Sequence, residues 1–182
     1  RIGKLQSMRV WLPEDQGTGD PTEMPIPKNL DYNSWLGPTP QAPFSQDRVH
    51  PQMSYERPGW LQIGQYCHGM ITGWGSHMND IAQWGNGTDD TGPVEIEAKA
   101  EFPDRGLFDV HTTFHAEALY ANGVRLIMET GEPAGVRFEG DHGWVFVTRE
   151  EITASDAAIL RQGAGEKEIR LYQSGNHMKN FL

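Results

Sequence analysis

The sequence holds a single cysteine, Cys67, in 182 residues. One thiol cannot form an internal disulfide or a four-cysteine zinc site. Cations are also scarce. Lys plus Arg number 15 against 25 Asp plus Glu, a formal charge of −10. Sequence-independent nucleic-acid binders need cationic groups to displace counterions from phosphates, so that class is disfavoured. A polybasic membrane-surface anchor is disfavoured for the same reason. No apolar run approaches the roughly 18 residues that a membrane span requires, and no signal-peptide pattern opens the chain. The P-loop, a GxGxxG at a strand-to-helix turn, the GxSxG elbow and HExxH are all missing. Gly73-Trp-Gly75 has no phosphate-cradling spacing, so the chain shows no nucleotide site of its own.

What remains is a globular composition. Hydrophobic residues make up 37% without counting 21 glycines, and the length is that of one domain. Most of the 12 prolines fall between Pro13 and Pro58. Proline fixes φ and lacks an N–H, so no long helix or central strand fits there. Tyr32, Trp35, Phe44, Tyr55 and Trp60 give that stretch much area to bury, which predicts an ordered wrapping loop. Within it, Asp31–Gly37 predicts one helical turn, capped by Asp31 and stopped by Gly37.

Leu5–Leu12 predicts a strand that ends at Pro13. Met70, Trp74, Met78 and Ile81 recur at helical spacing, predicting a helix over Gly69–Trp84. Val94–Phe102 and Phe108–Tyr120 read as strands. Asn122-Gly123 is a hairpin turn leading into Val124–Thr130. Val136–Glu139 and Trp144–Thr148 flank a second hairpin at Gly140–Gly143. A short helix over Ser155–Arg161, with Ser155 or Asp156 near its cap, a strand over Glu168–Tyr172 and a helix capped by Ser174 complete the list of elements. No internal repeat is present. The expected fold is α+β: an open, mostly antiparallel sheet of five or six strands on one main helix, wrapped by the proline-rich loop, with one sheet face free for a partner.

Seven histidines invite a metal reading. His111 and His115 fall on one face of a predicted strand, too far apart to share an ion easily, and read as polar groups on an exposed or oligomer-facing sheet surface. His142 sits in a turn beside Asp141, and His50 and His68 are isolated in loops. The helix around His77 is more informative. Gly69, Gly73 and Gly75 each cost about 1 kcal/mol relative to alanine in a helix interior. Gly69, Thr72, Gly73 and Ser76 would share a face of small residues, which lets a strand, a domain or a ligand approach the backbone. His77 and Asp80 share another face. A carboxylate beside an imidazole orients it and tunes it for acid–base work; an ordinary surface pair has the same spacing.

Gly69-Met-Ile-Thr-Gly-Trp-Gly-Ser-His77-Met-Asn-Asp-Ile-Ala-Gln-Trp84 resembles the active-site histidine helix of the glucose–fructose oxidoreductase/inositol dehydrogenase/MocA (Gfo/Idh/MocA) family. Leu30–Pro38 is similar to the Leu-Asp-Tyr-x-x-Trp-Leu-Gly-Pro element of its bacterial subgroup. Gly143–Val147 and His177–Leu182 resemble that subgroup too. The resemblance implies a C-terminal α+β domain of a two-domain dehydrogenase. The expected domain is 1–182, with the N-terminal Rossmann domain, its GxGxxG and its catalytic lysine outside this chain. Arg1 in place of Met and a short last helix fit a chain that continues in both directions. The implied cofactor is NAD or NADP, bound mainly by the other domain. The implied partners are a sugar or polyol substrate, the Rossmann domain and further copies through the open sheet. No nucleic acid and no membrane are expected, and the compartment stays open: bacterial cytoplasm or, if an export signal precedes, periplasm.

By position, the resemblance makes His77 the catalytic histidine, with Asp80 as its companion. Tyr32, Trp35, Arg57, Tyr66 and Trp74 become candidates for substrate contact. The family often carries Asp four residues before the histidine; here Gly73 stands there, which puts the usual pair in doubt. Three functions follow: a dehydrogenase of a sugar, cyclitol or polyol, a redox-neutral NAD-dependent glycosidase, or a non-catalytic oligomerisation domain. The isolated 182 residues are expected to be inactive.

Overall fold

The computed structural model describes residues 1–50, 57–161, 172 and 174–181. Seven strands form one open sheet: β1 Leu5–Leu12, β2 Pro93–Glu101, β3 Thr113–Tyr120, β4 Arg125–Thr130, β5 Gly135–Gly140, β6 Gly143–Val147 and β7 Ile152–Ala154. Their spatial order is β2-β3-β4-β1-β5-β6-β7. All neighbours pair antiparallel except β1 and β4, which run parallel from Ser7↔Arg125 to Leu12↔Thr130. The sheet is thus mixed, with one strand more than the upper expectation. The extra strand, β7, is only three residues long, too short to show a period.

Strict alternation decides which side of the sheet is inside. Met8, Val10 and Leu12 of β1 point inward with Ala116, Ala118, Leu126 and Val136, and all are buried. Helix α2, Trp74–Gly85, covers β1 and β5 with Met78 and Ala82. Its far end is tied to β3, where the Tyr120 hydroxyl donates to Gln83 Oε1 at 2.6 Å.

The predicted helix over Gly69–Trp84 needs correction. Gly69–Ile71 is a separate 3-10 turn, and α2 starts only at Trp74. Gly69 has φ +69°, which a helix interior does not allow, and a Cβ there would lie 2.5 Å from Asp15 Oδ2. Gly69 and Thr72 therefore do not share a helix face with Ser76. The close approach the glycines permit is to β1 and the loop after it: Gly69 meets Asp15, and a Cβ at Gly75 would meet Leu12.

The strand over Phe108–Tyr120 is also shorter than expected. Phe108, Val110 and His111 are buried, yet the backbone here bonds to the wrapping loop: Phe108 N–H donates to Thr18 O at 2.8 Å and Asp109 N–H to Gln62 O at 3.1 Å. His111 accordingly lies before β3, buried, and is not on the open face; His115 alone takes that position. The Asn122-Gly123 turn forms as expected, with Gly123 at φ +85° and its N–H donating to Tyr120 O.

The loop carries helix α1, Tyr32–Leu36. Asp31 caps it by accepting from Ser34 N–H at 3.1 Å, and Gly37 ends it at φ +56°. That N–H and the Ser34 hydroxyl hold the Asp31 carboxyl below its usual range. Helix α3, Ala157–Arg161, is capped by Asp156, which accepts from Ala158 N–H. Helix α4, His177–Phe181, is capped by Asn176 through Lys179 N–H, and not by Ser174. The expected strand Glu168–Tyr172 lies, apart from Tyr172, outside the described residues.

Candidate active site

The first turn of α2 presents the candidate site. Gly73, its N-cap, makes no side-chain hydrogen bond. The turn before the helix is fixed from below instead: Met70 N–H donates to Asp15 Oδ2 at 2.8 Å. Asp15 is 1% exposed, and its Oδ1 has no hydrogen-bond partner. Burial raises the Asp15 carboxyl above its usual range, against the opposing pull of the Met70 N–H, His111 and Arg57. His111 Nε2 stands 3.8 Å from Asp15 Oδ2 and also lacks a hydrogen bond. Burial lowers the His111 imidazole, with Asp15 pulling upward and His68 pushing down. Arg57 reaches the same carboxylate at 3.7 Å and donates to Glu14 O at 3.0 Å.

Above this anchor lie two hollows that share Thr148 and Arg149 as a common wall. One, of about 430 Å³, is lined by Arg57, Trp74, Glu132, Thr148 and Arg149 among others. The other, of about 270 Å³, is lined by Ser76, His77, Asp80, Val147, Thr148 and Arg149. The His77 ring meets the Trp74 indole edge-on at 6.1 Å, and the Arg149 guanidinium lies 4.8 Å from the Trp74 ring centroid. His77 and Asp80 are both exposed and share the smaller hollow, but no hydrogen bond or ion pair joins them.

The structure thus brings Trp74 and Arg57 to one hollow and His77 and Asp80 to a neighbouring one, with Thr148 and Arg149 lining both. It places Tyr32, Trp35 and Tyr66 elsewhere. Tyr32 stacks on Trp35 at 5.6 Å, Trp35 meets Tyr66 edge-on at 5.2 Å, and the Tyr32 hydroxyl donates to Pro43 O. Together with Leu36, Phe44 and Val49 they form the loop's own core, and none of the three lines the hollows beside Trp74. Arg149 was missed from sequence. It lies in the β6–β7 turn, and only the sheet topology carries that turn to α2.

The open face of the sheet is a second surface with pattern. Trp11 and Phe146 meet edge-on at 5.5 Å, and Arg137 lies 4.4 Å over Trp144. Arg9 bonds Glu129 at 2.7 Å, while His115 sits between Glu129 at 3.1 Å and Glu117 at 3.3 Å. Hydrogen bonds from His115 and Arg125 hold the Glu117 carboxyl low. Among the described residues no group of His, Cys, Asp and Glu could hold a metal ion, and no helix is long and apolar enough to cross a membrane.

Residues 8–162 match the family described as the oxidoreductase family, C-terminal alpha/beta domain. The chain belongs to the Gfo/Idh/MocA oxidoreductase family, as a C-terminal domain. A solved oxidoreductase domain protein from Kribbella flavida is similar at 17% identity with a TM-score of 0.48. That likeness covers 86% of the present chain and 37% of the other. No curated protein matches the chain.

Proposed function

We propose that this domain belongs to an NAD(P)-dependent dehydrogenase acting on a sugar, cyclitol or related polyol, in which His77 takes or relays the proton of the hydroxyl being oxidised. The observation that carries the reading is the placement of His77. In a chain of an oxidoreductase family, it is exposed on the first turn of α2, beside an indole and opening on a hollow. An imidazole there is free to accept a hydroxyl proton and pass it to water. Asp80 shares the hollow and adds a second polar group beside the substrate.

The nicotinamide cofactor supplies the hydride acceptor. The chain's own residues offer no glycine-rich phosphate turn for it, so its main site belongs to a separate Rossmann domain. The chain's part is to place the polyol against that domain and to keep a proton acceptor at the reacting hydroxyl. By itself it turns over nothing.

The test is NAD(P)H formation by the protein carrying its dinucleotide-binding domain, across a panel of sugars and cyclitols, with and without His77→Ala. The variant should lose about a hundredfold in turnover. A loss under about tenfold removes His77 from the chemistry. Substrate cleavage without net NADH release would move the assignment to the redox-neutral glycosidase. The absence of a bond between His77 and Asp80, together with Gly73, favours one alternative: an assembly domain whose open face packs on further copies. It predicts cofactor binding by the whole protein with no turnover of any polyol.

A further inference from the structure

Arg149 sits at the tip of the β6–β7 turn, where exposed arginines ordinarily extend into water. The tip is pinned: Thr148 N–H donates to Glu151 O, and Thr148 Oγ1 accepts from the N–H groups of Glu150 and Glu151 at 3.1 Å each. From there the side chain folds back over Trp74, its guanidinium carbon 4.8 Å from the ring centroid. Three carboxylates, Glu132, Glu150 and Glu151, line the same hollow, yet among the described residues none forms an ion pair with Arg149. Glu132 turns its carboxylate back to accept from Ala134 N–H. A guanidinium over an indole with no carboxylate paired to it keeps N–H donors for a ligand, and its planar fork matches a carboxylate. A second guanidinium, Arg57, lines the same hollow, aimed by the buried Asp15 carboxylate behind it.

We propose that this hollow is a carboxylate subsite, so that the molecule oxidised beside His77 is a sugar acid, a uronate or an aldonate. Arg149 and Arg57 grip the carboxylate in the larger hollow while the hydroxyl to be oxidised lies beyond the shared Thr148 and Arg149, beside His77 in the smaller one. The surrounding glutamates set the charge that is accepted. The two guanidiniums supply the N–H donors, while the three rim carboxylates repel any anion in proportion to its charge, so a monoanion is held more readily than a phosphate dianion. This deepens the dehydrogenase reading and rests on it for the reaction, though not for binding.

The chain itself is titrated with D-glucuronate, methyl β-D-glucoside and glucose 6-phosphate, following the indole N–H of Trp74 and the Nε–H of Arg149 and Arg57 by NMR. Glucuronate should give saturable shifts at all three, and the neutral glucoside should bind at least about fivefold more weakly. Arg149→Gln, and Arg149→Lys with the charge kept but the fork lost, should each weaken glucuronate by about fivefold or more. Both substitutions lie on an exposed turn, so the fold tolerates them. No shift with glucuronate, equal binding of the glucoside, or full affinity in Arg149→Lys would overturn the subsite. Glucose 6-phosphate binding as tightly as glucuronate would overturn the carboxylate assignment. The two proposals fail separately. Uronate binding without cofactor-linked oxidation removes the dehydrogenase, and oxidation of neutral polyols without uronate binding removes the subsite.

Discussion

The carboxylate of Asp15 and the left-handed glycine above it fix where α2 begins, and Gly69→Ala measures that constraint. At Gly69 φ is +69°, and an alanine in the left-handed region costs about 1–2 kcal/mol from its backbone alone. The added Cβ would also lie 2.5 Å from Asp15 Oδ2 and 3.0 Å from Val110 Cγ2, both in buried surroundings. Overpacking of that kind costs about 1–3 kcal/mol more. Neither neighbour moves freely, since Asp15 Oδ2 also holds Met70 N–H. The expected total is about 3 kcal/mol, or a fall of roughly 6–12 °C in Tm for a domain of this size. Gly123→Ala is the internal control. Its φ is +85°, but nothing lies within 4 Å of the new Cβ, so it carries the backbone cost without the clash. Urea unfolding followed by tryptophan fluorescence gives both numbers. Equal losses for the two variants would refute the packing argument, and a loss under about 1 kcal/mol at Gly69 would refute the whole account.

Burial keeps His111 neutral in the fold, whereas the unfolded chain takes up a proton below about pH 6.5. More protons bind to the unfolded state there, so stability falls on acidification through that value, and His111→Phe should flatten that part of a pH series of unfolding curves. Tyr120→Phe removes the hydroxyl that bonds Gln83 and should cost about 1 kcal/mol in the same urea assay; no change would exclude a role for that tie between α2 and β3. If the open face joins copies of the chain, Trp144→Asp should shift the sedimentation profile toward monomer while leaving the fold intact, because Trp144 is only half-buried there under Arg137.

Local patterns made much of the fold legible. Met8, Val10 and Leu12 alternate with Ser7, Arg9 and Trp11, and both sets fall on the faces the alternation assigns. Asp31, Gly37 and Asn122-Gly123 act as read, because a cap or a tight turn is settled within a few residues. The errors share a cause. Met70 continues the helical period of Trp74, Met78 and Ile81 and is buried, but its backbone belongs to a turn fixed by a carboxylate 55 residues away. Phe108 and Val110 are buried like strand residues, yet the wrapping loop takes their backbone bonds. Of the site, the chain order placed His77, Asp80 and Trp74 on one helix. Arg57 and Arg149 reach the same hollows from distant segments, and the parallel pairing of β1 with β4 was equally out of local reach.

That pairing also sets an order of events when the chain folds. β1 is first in sequence and fourth in the sheet, between β4 and β5. The strands on its two sides, β2-β3-β4 and β5-β6-β7, are each built from neighbours in sequence and can form early as separate meanders. Neither can join the other until β1, the first of these seven strands in sequence, inserts between them across a separation of more than a hundred residues. Contacts of that span come late and slow folding. Until then the apolar inner row of β1 waits uncovered, so this domain is most exposed to misassociation while the first of its strands has no neighbours.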